Sequence, residues 1–172
     1  MKLRRVSVAG VLALVAMLLP AFLVSAAPPF RSFTAYGGEE CLVWETWRPT
    51  GQAGHWAAET LQPIISSSDI RFRGVRHTFG GCDGFPNNMP CKGTMRIVLD
   101  AQMLPGQCAA TGLELPDYWD GTFTFVGMPP HWRATSVLKG HGRLRGLELR
   151  GELDLNADVW TMTGKIIETG GY

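Results

Sequence analysis

The feature that most constrains the fold is an alternation of apolar and polar residues with period two, repeated along the chain and punctuated by glycine. In residues 94–100, Met95, Ile97 and Leu99 share one face, while Thr94, Arg96 and Asp100 share the other. Phe123 and Phe125 alternate with Thr122 and Thr124. Trp132, Ala134 and Leu138 alternate with Arg133, Thr135 and Lys139, and Trp160, Met162 and Ile166 line one face of a last segment. Side chains that return to the same side every second residue belong to half-buried strands, not to helices.

Two of these series change phase at a glycine. Ile70 and Phe72 precede Gly74, after which Val75, His77 and Phe79 continue; Leu144 precedes Gly146, after which Leu147, Leu149, Leu153 and Leu155 continue. A one-residue slip that keeps both halves on the buried side predicts a β-bulge, and bulged, bent strands allow a sheet to curl and close. The chain holds 21 glycines, spread between segments and not gathered in a linker, which favours many turns over long helices. Residues 41–47 read as a further strand with apolar residues on both faces. Residues 56–69 read either as a helical turn ending before Pro63 or as a strand running through it. The sequence thus predicts an all-β, small antiparallel β-barrel of seven or eight strands with bulged strands; a β-sandwich is the alternative.

Residues 1–26 run from Lys2, Arg4 and Arg5 through an apolar stretch to small residues at Ser25–Ala27, the order of a secretory signal peptide. Residues 27–172 are then one exported domain, outside the cell or in the periplasm, with no membrane-spanning segment. The whole chain carries 16 Lys and Arg against 15 Asp and Glu, and three of the basic residues fall in the leader. The remainder is slightly acidic, which argues against nucleic acid as a partner. All four cysteines lie in the exported part, where thiols pair. Cys82 and Cys91 flank a short loop rich in Gly, Pro and Asn that closes easily, which leaves Cys41 with Cys108.

The segments from Tyr118 to Gly127, from Trp132 to Leu153 and from Thr163 to Gly171 resemble an uncharacterised group of secreted bacterial β-barrel proteins. More distantly, they resemble the allene oxide cyclase and dirigent type of barrel. The resemblance lies in a glycine-rich strand, here Gly140, Gly142 and Gly146, and in residues 66–74, which match an earlier strand of the secreted group. It implies a barrel able to enclose a small apolar molecule and carries over no catalytic set.

The same glycines do not form a nucleotide loop, because a strand follows them where a helix is required. The four histidines, His55, His77, His131 and His141, have no metal-ligand spacing, and no GxSxG elbow is present. No motif calls for a cofactor or a metal. Asp83, Asn87 and Asn88 supply oxygens in the 82–91 loop, but their spacing is that of turn chemistry more than of a calcium site. His77 falls in the apolar series after Gly74 and reads as a buried imidazole able to contact a ligand. Trp119 and Trp132, near Pro116, Pro129 and Pro130, are the tryptophans expected at a cavity mouth. The function expected from sequence is a secreted, non-catalytic barrel for a small apolar or carbohydrate ligand. A cyclase or isomerase using His77 or Glu45, and a structural extracellular protein, are the alternatives.

Overall fold

The computed structural model describes residues 30–50, 53–85, 91–128, 131–156 and 159–170. Residues 1–29, Asn87, Asn88, Pro129 and Pro130 lie outside them. The strands are β1 (Phe30–Gly37), β2 (Cys41–Thr50), β3 (Ala53–Ser67), β4 (Gly74–Phe85), β5 (Cys91–Val98), β6 (Gln102–Met103), β7 (Ala110–Thr111), β8 (Tyr118–Met128), β9 (His131–Gly140), β10 (Leu147–Asn156) and β11 (Val159–Glu168). One antiparallel sheet runs in the order β1-β11-β10-β9-β8-β5-β4-β3-β2, and β1 also pairs with β3 through Ala35–Ser67, Tyr36–Ser66 and Gly37–Ile64. That pairing closes eight strands into a barrel. β2 is the extra strand, carried on the same edge of β3 beyond the point where β1 leaves it. A single closed sheet replaces the two packed sheets of the sandwich alternative. Among the described residues no helix is long and apolar enough to cross a membrane.

The phase changes at Gly74 and Gly146 are not bulges. β4 starts at Gly74 and β10 directly after Gly146; residues 68–73 form a turn, and Gly142–Leu144 form one turn of 3-10 helix. A connection that inserts a few residues shifts an alternating pattern as well as a bulge does, so the slip alone does not tell them apart. Gly74 has φ +99°, and a Cβ there would stand 1.9 Å from the Val98 carbonyl oxygen, so glycine is required where the turn becomes strand. The ladder irregularities lie instead at Tyr36/Gly37, Leu42/Trp44 and Gly54/His55. The Leu42/Trp44 slip explains why β2 shows apolar residues on both faces. The ambiguous 56–69 segment is strand and passes through Pro63, which lacks an N–H to give. Pro63 lies beside the gap between β1 and β2, where its carbonyl accepts the Gly38 N–H at 3.0 Å.

Inside the barrel, glycine serves ring packing. Gly80 and Gly93 are directly opposed on β4 and β5, and a Cβ on either would come within 3 Å of the Phe123 ring. Gly37 gives room to the Trp160 indole in the same way.

The two halves of the interior differ. In one half, Phe33, Phe72, Trp119, Leu138, Leu149 and Ile166 fill the cross-section, all essentially inaccessible to solvent. Phe72 comes from the β3–β4 turn and Leu144 from the 3-10 turn, so connections plug this end, and Trp119 Nε1 donates to the Arg71 carbonyl at 2.6 Å. Burying one such side chain stabilises by about 1.5–3 kcal/mol. The long β5–β8 connection, with the β6–β7 hairpin, folds over the outside of this region. It buries outward-facing Leu61, Val75 and Val98 against Ala101 as a second, smaller core.

Both disulfides form as the loop argument expects. Cys41–Cys108, with Cα atoms 5.3 Å apart, staples the outer connection to β2; Cys82–Cys91, at 4.4 Å, bridges opposed positions of β4 and β5. The shorter separation is that of a non-hydrogen-bonded antiparallel pair, the close site of the ladder.

Candidate functional site

The other half of the barrel is hollow. A cavity of about 440 Å³ lies there, within the usual range for small-molecule sites of roughly 300–1,000 Å³. One wall is apolar: Met95 from β5, Phe123 and Phe125 from β8, Trp132 and Ala134 from β9, and Leu153 from β10. Period-two geometry aims all of them inward. On the facing strands β3 and β4, small Ala58 lies directly opposite Gly80, against which the Phe123 ring packs, and both line the cavity. The cavity reaches solvent beside Glu39, Leu42 and Glu45, all exposed.

The opposite wall is polar and centres on Arg76. One guanidinium terminal nitrogen of Arg76 donates to Glu40 Oε1 at 3.0 Å and also to the Gln62 side-chain oxygen. Gln62 in turn donates to the Gly38 carbonyl at 2.6 Å, and Thr60 donates to the same Glu40 oxygen at 2.9 Å while lying 2.6 Å from Thr78 Oγ1. Arg76 is 6% exposed and its guanidinium carbon sits 5.1 Å from the centre of the Trp160 ring. Its Nε and the Trp160 Nε1 are buried donors without a partner. Burial pushes the Arg76 guanidinium below its ordinary pKa, while the charge of Glu40 and its hydrogen bond oppose that shift. A guanidinium remains charged in proteins, so this wall offers a fixed cation with donors to spare. It can orient an acceptor or polarise a carbonyl placed against it.

The Cys82–Cys91 bridge lies inward on β4 and β5, both sulfur-bearing residues buried. Trp132 lines the cavity, half-buried. Trp119 does not reach it: at 0% exposure it belongs to the packed half. His77 also lies elsewhere. It is on the outside of the barrel, its side chain 33% exposed, with Nε2 2.6 Å from Glu59 Oε1. Trp44 Nε1 donates to the other Glu59 oxygen at 2.5 Å, and the Trp44 and Phe79 rings lie 5.5 Å apart. The His77 hydrogen bond chiefly holds the Glu59 carboxyl below its usual range.

The inversion of β4 has a physical reason. Val75, His77 and Phe79 form the outward series, and Val75 is buried because the β5–β8 connection covers it from outside. The inward series is Arg76, Thr78, Gly80 and Cys82, polar and small, which hydrophobic alternation does not score as a core face. Alternation hides Arg76 for that reason, whereas Glu40, 36 positions away beside Glu39 in the connection before β2, reads from sequence as a solvated loop charge. Cys82 was the available signal, since a buried bridge fixes the face of its strand.

Among the described residues no group of three His, Cys, Asp or Glu side chains is placed to share a metal ion. Asp83 pairs with His55 Nδ1 at 2.8 Å, and His141 stacks on Tyr118 with ring centres 4.4 Å apart. Comparison of the chain with family models, with curated proteins and with solved structures finds no match.

Proposed function

We propose that the chain is a secreted, non-catalytic barrel that holds a small, largely apolar molecule in the hollow half of its interior. The observation that carries this reading is the cavity of about 440 Å³ walled by Met95, Phe123, Phe125, Trp132 and Leu153 in the half of the barrel away from the plugged end. Apolar rings on one side and a few convergent polar groups on the other are what small-molecule sites present. A carbohydrate is the second ligand class, supported by half-buried Trp132 and the polar wall. The wall is apolar over most of its extent, however, and favours the apolar class. Export is supported by the leader-like residues 1–26 and by the pairing of all four cysteines.

The presence of Arg76 and Glu40 inside the cavity favours one other reading, a cyclase or isomerase of the kind implied by the resemblance to allene oxide cyclase-like barrels. Thermal shift and tryptophan emission across panels of lipids, terpenoids and oligosaccharides test the binding reading. Apolar compounds are expected to raise the melting temperature and shift the emission of Trp56 and Trp132, and a flat response across all three panels overturns it. Chromatography and NMR of the recovered ligand separate the two readings, because a binder returns the compound unchanged whereas a cyclase or isomerase returns an isomer of the same mass.

A further inference from the structure

We infer that the ligand of this cavity is neutral and carries an oxygen acceptor, a ketone, ester or hydroxyl on an apolar skeleton, which docks against Arg76; carboxylates are disfavoured. This rests on the reading of the cavity as a ligand site. Arg76 lines the cavity, is buried, and commits one terminal nitrogen to Glu40 and Gln62 while its Nε has no partner. A buried guanidinium whose donors are only partly matched is unfavourable, and an oxygen brought against the part of Arg76 that lines the cavity adds an acceptor for it. Hydrogen bonds from a charged donor are stronger than neutral ones, so even a ketone gains from this position.

Charge then selects the kind of oxygen. The Arg76 cation is already matched by Glu40 at 3.0 Å, and Glu39 and Glu45, exposed at the mouth, also line the cavity, so its lining carries three carboxylates and one guanidinium. A ligand carboxylate must therefore displace Glu40 from Arg76 or remain beside it as a like charge, and both are unfavourable. An ammonium group offers only donors and leaves Arg76 unmet.

A matched set of nonane, a nonanone, nonanoate and nonylammonium, competing with the neutral dye N-phenylnaphthylamine, tests this. The nonanone is expected to bind about tenfold more tightly than nonane or nonanoate, the scale of one hydrogen bond from a charged donor. Arg76→Met is expected to erase the preference for nonanone over nonane. Glu40→Gln keeps the shape and removes the balancing charge, and is expected to raise nonanoate affinity about tenfold with little change for the nonanone. If Arg76→Met does not fold, Glu40→Gln and the wild-type ranking decide. Nonanoate or nonylammonium binding best, equal affinity for nonane and nonanone, or no gain for nonanoate in Glu40→Gln overturns the inference while leaving the cavity as a site. Failure of all four compounds, nonane included, overturns the cavity reading and the inference with it.

Discussion

The packed and hollow halves of the barrel use the same eight strands and the same inward alternation, yet one is solid and the other encloses about 440 Å³. Two things separate them. In the hollow half, small inward residues such as Ala58 and Ala134 stand among the larger ones, so side chains leave part of the cross-section open. The packed half also receives Phe72 and Leu144 from its connections, so its cross-section is filled from the end as well as from the walls. Alternation decides which side chains face inward; residue size and loop contributions decide whether the interior is core or site.

The largest expected effect comes from the plug. Phe72→Ala should cost about 3–5 kcal/mol in urea denaturation, because it opens a void in a close-packed region. Phe125→Ala, half-buried beside space that already exists, should cost about 1–2 kcal/mol. Equal losses would mean that the halves do not differ in packing.

The disulfides sharpen the same contrast. Cys41–Cys108 spans 67 positions and pins the outer connection over the second core, whereas Cys82–Cys91 spans 9 and joins adjacent strands. Loop-closure entropy gives about 4 kcal/mol for the first and about 2.5 kcal/mol for the second when each pair is replaced by alanines. Melting curves of the two double variants check the order, and a larger loss from the short bridge would contradict it.

The smallest effect concerns acid. In the turn that presents Phe72, Asp69 accepts hydrogen bonds from the Arg71 backbone N–H and Nε at 2.9 Å and from its terminal nitrogen at 2.6 Å. The side-chain bond from Arg71 chiefly holds its carboxyl below the usual range. A folded-state pKa below the unfolded value means stability that is fully present above about pH 4 and is lost as pH falls through the folded pKa. Asp69→Asn should therefore lose about 1–2 kcal/mol at neutral pH and show a shallower decline between about pH 5 and pH 2 than the parent. Parallel pH profiles would show that this turn does not depend on the charge.

Much of the barrel was legible where strands have one buried face. Met95 and Ile97 on β5, Phe123 on β8, Leu138 on β9, Leu149 and Leu153 on β10, and Trp160, Met162 and Ile166 on β11 all face inward as their alternation predicts. β4 was not legible, because outward Val75 is buried under the β5–β8 connection and outward Phe79 packs beside Trp44, so the apolar outward series outweighed the polar inward one. Of the site, Trp132 could be placed from sequence, but the Arg76, Glu40 and Gln62 network could not. Its members come from β3, β4 and the gap before β2, and only closure of the barrel brings them together. Trp119 lies near Pro116 in sequence, yet it begins β8, at the other end of that strand from Phe125, and so falls in the packed half.

The most direct test of a hollow half fitted for a ligand is dye binding to the wild type and to Ala134→Phe, which places a ring in the cavity. The wild type should bind N-phenylnaphthylamine saturably at one site. Ala134→Phe should lose that binding while melting at the same or a higher temperature, because it fills space instead of disturbing packed core. Binding that survives in Ala134→Phe, or a variant destabilised as strongly as Phe72→Ala, would contradict the account.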